Sequence, residues 1–229
     1  MRKVGVYAVL ALLFLAFSSL PSSAATSAVT GKIIALDPGH GGNESGAVFQ
    51  FSDGSVLREK DINLAVAKVL EDLLEADGAR VILTRVDDRY VSLDERADIA
   101  NSNRAQALVS IHHNGSSNSS YDWTETYYSQ RSDKRLAEAA YDALLALGLP
   151  GRGAKHAGFT LTVRPKMPST LTEAYFVTNP TEASHFYRTL AASSTDFGRV
   201  QRVKEEAAAL RVGLIRYFEG LASGPPNKR

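Results

Sequence analysis

Cysteine is absent from all 229 residues. That excludes disulfide staples and a lipid-modified leader, whose attachment point is a cysteine. It also leaves histidine, aspartate and glutamate to hold any metal. Charge of one sign is missing too, since 26 Lys and Arg stand against 25 Asp and Glu. A chain so nearly neutral carries no global field able to hold DNA, RNA or an anionic membrane. Internal repeats and long linkers are also lacking.

What is present begins with a leader pattern. Arg2 and Lys3 precede an apolar stretch from Val4 to Phe17, and Ser22-Ser-Ala24 supplies the small-x-small signature of a signal peptidase site. The stretch falls short of the roughly 20 residues a spanning helix needs, and no charged stop-transfer flank follows it. Residues 1–24 are therefore expected to be a signal peptide, leaving no stable membrane anchor after its removal. Without Arg2 and Lys3, 24 basic residues face 25 acidic ones, a net charge of −1. The expected destination is the periplasm or the cell wall and extracellular space. Residues 25–222 suit one domain with a real core, followed by a loose tail at 223–229.

Within that domain, strand and helix signals alternate. Lys32–Asp37 is a short apolar run ending in Pro-Gly, as a buried strand entering a loop does. Further strands are expected at Arg80–Thr84, Ala107–His112, Thr124–Ser129, Phe159–Val163 and Ser169–Phe176. Helical spacing covers Asp61–Ala76, Asp133–Leu147 and Gly198–Phe218, and Ser92 with Glu95 forms a capping box. The expected fold is α/β: a mixed, mostly parallel sheet of about six strands with helices on both faces. In such sheets functional groups gather at the carboxyl ends of strands.

Residues with usable chemistry stand at those ends. His40 follows Asp37-Pro-Gly, Glu59 directly precedes the first long helix, and His112 closes the third strand. Two imidazoles and one carboxylate suit zinc and leave a fourth position open to water, the arrangement of a catalytic site. The gaps of 19 and 53 residues match no local metal motif. Taken alone, His40 reads equally as a turn residue and Glu59 as a carboxylate favoured by a helix N-terminus. Glu173 adds weight, because it interrupts an otherwise apolar central strand. Such an acid is rare unless paired or functional. It serves either as a proton acceptor beside activated water or as the partner of Lys166 or Arg164.

Several blocks together resemble the N-acetylmuramoyl-L-alanine amidase family of the zinc-dependent, AmiC-like type (amidase type 3). They are Asp37-Pro-Gly-His-Gly-Gly42, Glu59-Lys-Asp-Ile-Asn-Leu64, Leu83-Thr-Arg85, Val91-Ser-Leu-Asp-Glu-Arg96, Ala100-Asn101, Ser110-Ile-His112, Arg152-Gly153 and the strand of Glu173 followed by Asn179-Pro180. They run in the family's order from about residue 31 to about residue 187. The resemblance implies Zn2+ held by His40, Glu59 and His112, with Glu173 as the catalytic carboxylate. It implies hydrolysis of the amide between N-acetylmuramic acid and L-alanine in bacterial peptidoglycan. The chain departs from the family at His113, where a small residue is usual, at Asp122-Trp123, and at Ala174-Tyr175. These departures touch the shape of the cleft. No segment reads as the inhibitory helix that some relatives insert, so an open site is expected.

The remaining candidates have plainer readings. His113 should face away from His112, placed either behind the ligands or at the surface. His156 sits in a glycine-rich loop, either exposed or bordering the cleft. Glu44 reads as a loop residue and His185 as a helix-surface residue. Arg85 and Arg96 are expected to brace loops. Trp123, Tyr121, Tyr127 and Tyr128 read as core aromatics, with sugar stacking the other reading. Competing functions are a non-catalytic peptidoglycan-binding protein and a zinc peptidase acting within the stem peptide. A monomer is the default state, and the need for a protein activator stays open.

Overall fold

The computed structural model describes residues 26–191 and 196–222. The expected leader at 1–24 and tail at 223–229 lie outside them. The first strand, β1 (Ile33–Pro38), is buried along nearly its whole length, as a near-continuous apolar run requires. A hairpin of β2 (Val48–Gln50) and β3 (Val56–Arg58) follows and delivers the chain into α1 (Glu59–Ala76). Then come β4 (Arg80–Leu83), α2 (Leu93–Ser102), β5 (Ala107–Asn114), β6 (Thr124–Tyr128) and α3 (Lys134–Leu144). The chain continues with β7 (Gly151–His156), α4 (Thr160–Val163), β8 (Ser169–Phe176), α5 (Pro180–Ala191) and α6 (Gln201–Ala222).

Six strands form one sheet in the order β4-β1-β5-β8-β6-β7. The first four run parallel, and β6 with β7 runs the other way, joined through the antiparallel β6–β8 ladder. The expected mixed sheet is therefore present. Helices α1, α3 and α6 cover one face over Ile34, Leu36, Val109 and Ile111. Helices α2 and α4 cover the other over Ala35 and Leu108. On α6, Gly213 lets α3 approach closely, since a Cβ there would lie 2.9 Å from the Ala139 carbonyl oxygen. Among the described residues, no helix is long and apolar enough to cross a membrane.

One expected strand is not formed. Phe159–Val163 is not a strand but carries the single turn α4. Its alternating pattern favours a strand, yet the Thr162 hydroxyl donates to the carbonyls of Phe159 (3.0 Å) and Ala157 (3.2 Å). Leu161 is meanwhile buried against the cluster of Ala100 and Leu108. The sixth strand is β7, the glycine-rich segment that reads as a loop.

Candidate metal centre

The carboxyl end of β1 is fixed by charges buried inside the fold. Asp37 is 1% exposed and accepts hydrogen bonds from Thr84 Oγ1 (2.5 Å), Ser110 Oγ (2.6 Å) and Arg96 Nη1 (2.9 Å). Burial alone raises its pKa, but Arg96 and the two hydroxyls outweigh that and hold it below the usual value. Arg96 also donates to the carbonyls of Pro38 (2.7 Å) and His40 (2.6 Å), and Arg85 to those of Pro38 and Gly39 (2.9 Å each). The two arginines brace the loop as the sequence suggests. They hold His40 at a φ of 60°, the left-handed region that a residue with a Cβ rarely adopts.

Glu59 is the first residue of α1, where its backbone N–H donates to Ala47 O (2.9 Å). In return its Oε2 accepts from Ala47 N (2.8 Å). Its Oε1 lies 3.1 Å from His40 Nε2 and 3.0 Å from His112 Nδ1. Burial would raise this carboxyl, but the hydrogen bonds and charge of His112 and His40 bring it well below the ordinary range. The two imidazoles meet edge to face with centroids 4.8 Å apart. Gly39 makes room for them, because a Cβ there would sit 2.2 Å from the His112 ring.

Among the described residues, His40, Glu59 and His112 are the one set of three metal-binding types whose ligand atoms converge, all within 4.8 Å. Two imidazoles and a carboxylate have the donor chemistry of a zinc centre, and their open side faces a cleft of about 490 Å³. The residues present therefore fit the ion that the family resemblance implies.

Glu173 lines the same cleft. It is the register partner of His112 on one side and of Glu125 on the other. Its Oε2 is buried without a hydrogen-bond partner. Arg164, one of the cations weighed for it, instead pairs with Asp94 at 3.1 Å. Burial first, then the negative charges of Glu59 and Glu125, push its pKa well above the carboxylate range. A perturbed carboxyl in a cleft is a candidate for proton transfer.

Glu125 escapes the sequence reading, although the same signal that marks Glu173, a carboxylate inside a strand, marks it as well. Its carboxylate accepts from Asn114 Nδ2 (3.0 Å), Tyr127 Oη (2.8 Å) and Lys155 Nζ. His113 faces away from His112, as expected, and its burial excludes the surface one of its two readings. His156 lies at the far end of β7, bonded to Ser129 O (2.9 Å), so the cleft reading of this residue is excluded. Trp123 packs against Phe176 (4.4 Å between centroids), with the Arg152 guanidinium 4.5 Å above its ring. Glu44 is held in its loop by a backbone bridge to Gly41.

The sequence profile described as N-acetylmuramoyl-L-alanine amidase matches residues 34–191. The N-acetylmuramoyl-L-alanine amidase LytC of Bacillus subtilis (strain 168) is 40% identical over 181 residues, which cover 75% of this chain and 36% of LytC. This chain thus spans about a third of that relative's length. YqiI of the same organism, an uncharacterized protein, is 40% identical over 179 residues, covering 76% of this chain and 84% of YqiI. Among solved structures, the catalytic domain of CwlV, an N-acetylmuramoyl-L-alanine amidase from Bacillus (Paenibacillus) polymyxa var. colistinus, superposes with a TM-score of 0.72. It shares 30% identity and covers 82% of this chain and 98% of that domain.

Proposed function

Because the chain belongs to the N-acetylmuramoyl-L-alanine amidase family, we propose that it is a zinc-dependent hydrolase of bacterial peptidoglycan. The bond cut is the amide between the lactyl group of N-acetylmuramic acid and the L-alanine that begins the stem peptide. The observation that carries this reading is the convergence of His40, Glu59 and His112 beside the partnerless carboxyl of Glu173 in one cleft. A binding protein built on the same scaffold has no need of all four.

His40, Glu59 and His112 would hold the zinc. When bound, the ion supplies Lewis acidity, which acidifies water and polarises a carbonyl. Beside that cation Glu173 would release its proton more readily than burial and the neighbouring carboxylates otherwise allow. Glu173 takes a proton from the attacking water and delivers it to the amide nitrogen as that nitrogen leaves. An amine is a poor leaving group without that proton, so Glu173 governs turnover and not metal binding. The peptidoglycan substrate lies outside the cytoplasmic membrane, which agrees with the leader pattern at residues 1–24.

The test is digestion of purified peptidoglycan by the zinc-loaded and the chelator-treated protein, with identification of the free amino termini released. Stem peptides beginning with alanine, and intact glycan, are expected from the zinc-loaded sample alone. New termini elsewhere in the stem would instead make the protein a peptidase.

A further inference from the structure

Behind the candidate metal centre, a chain of buried polar groups leads from Glu59 to α6. Glu59 Oε1 accepts from Asn63 Nδ2 (3.2 Å), one turn further along α1. Asn63 Nδ2 also donates to Gly39 O (3.1 Å), which leaves its Oδ1 as an acceptor 2.6 Å from His113 Nδ1. His113 Nε2 in turn lies 2.8 Å from Glu206 Oε2. Asn63 and Glu206 are 0% exposed and His113 is 2% exposed. The backbone N–H of His113 reaches Glu59 directly as well, at 3.1 Å from Oε1. His113 therefore bears on the same carboxylate oxygen twice, once through its backbone and once through Asn63.

Polar groups buried this deeply are costly, and well-packed apolar residues of similar volume would often stabilise the fold as well or better. Their arrangement suits another task. Hydrogen-bond partners behind a metal ligand fix its orientation, and losing one typically costs 10–100-fold in metal affinity. Glu206 stands outside residues 34–191, the segment matching the family profile, and His113 is one of the positions where this chain departs from the family's usual residue.

We infer that Glu206 is a positioning residue for the metal centre, through which α6 holds the Glu59 carboxylate in its metal-binding orientation. Glu206 fixes the His113 ring, His113 fixes the Asn63 amide, and Asn63 with the His113 N–H turns Glu59 Oε1 toward His40 and His112. This rests on the reading of those three residues as zinc ligands.

The experiment measures zinc affinity of the full chain by competition with a chromophoric chelator, at a temperature where every variant is folded. Glu206→Leu keeps the volume and removes the hydrogen bond. It is expected to bind zinc about 10–100-fold more weakly than wild type. Glu206→Gln, whose amide can donate to His113 Nε2, is expected to stay within about threefold. A purely structural role would move the melting temperature and leave the affinity of the folded chain unchanged. Should Glu206→Leu not fold, His113→Leu cuts the same chain while keeping the backbone N–H on Glu59, and carries the same expectation. Affinity within twofold of wild type in the folded Leu variant overturns the inference while leaving the zinc site intact. A wild type that binds no zinc removes the site reading itself, and the inference with it.

Discussion

Glu173 and Glu125 stand directly opposite each other on the antiparallel β6–β8 ladder. Like charges in that position repel, and the surroundings decide which of the two keeps its proton. Glu125 receives hydrogen bonds from Asn114, Tyr127 and Lys155, while Glu173 Oε2 receives none. Although burial alone would raise it, Glu125 is held below the ordinary range, chiefly by Lys155 and Tyr127. Burial and the neighbouring carboxylates push Glu173 the other way. Glu125→Gln removes one of those negative charges, so Glu173 should ionise at lower pH. The acid limb of the kcat/KM profile on peptidoglycan is expected to move to lower pH. An unchanged limb, or a move upward, would show that Glu125 does not set the proton affinity of Glu173.

Gly39→Ala tests the crowding between the two histidine-bearing segments. The added methyl would sit 2.2 Å from the His112 ring, so His112 or the His40 loop must shift. Zinc affinity measured by calorimetry should fall by about 10–100-fold, the range seen when the support of a ligand is lost. Affinity equal to wild type would mean that the loop adapts without cost to the site.

Arg96→Met tests the brace beneath His40. It leaves Asp37 buried without its cation and frees two backbone carbonyls, of Val91 and His40, while Pro38 O keeps the Arg85 guanidinium. Breaking a buried pair from one side costs about 3–5 kcal/mol. Guanidinium denaturation should show a loss of that size. A loss below about 1 kcal/mol would mean that Asp37 finds other compensation.

Asp122 gives a pH signature in stability. Burial first, then the charge of Glu182, pushes its carboxyl up to about 6 from an ordinary 3.8. Between those values the native state binds more protons than the unfolded chain, so this group's contribution to stability falls as pH rises through the window. Asn at this position still accepts the hydrogen bond from Phe176 N (3.2 Å) and carries no such penalty. The melting temperature of Asp122→Asn minus that of wild type should therefore increase from pH 4 to pH 7. A difference independent of pH would contradict the assignment.

The convergence of His40, Glu59 and His112 was legible only through the family resemblance, since the gaps between them match no local motif and His40 and Glu59 each have a plain structural reading alone. The parallel core of the sheet was legible directly, since β1 and β5 are long apolar runs. Two kinds of information were not local. β7 is an edge strand rich in glycine, so its pairing with β6 shows only once the sheet is assembled. The partner of His113 is Glu206, 93 residues away, and no spacing rule connects them. Glu125 was overlooked although its signal was present, because its meaning depends on facing Glu173 across a ladder.

The most direct measurement is of Glu173→Gln, which keeps the size of the side chain and removes its ability to accept and return a proton. Zinc content and turnover on peptidoglycan are read from the same preparation. One zinc per chain is expected, as in wild type, with turnover lower by about 10²–10⁴. Turnover equal to wild type, or a loss of turnover that merely tracks a loss of zinc, would contradict the role given to Glu173.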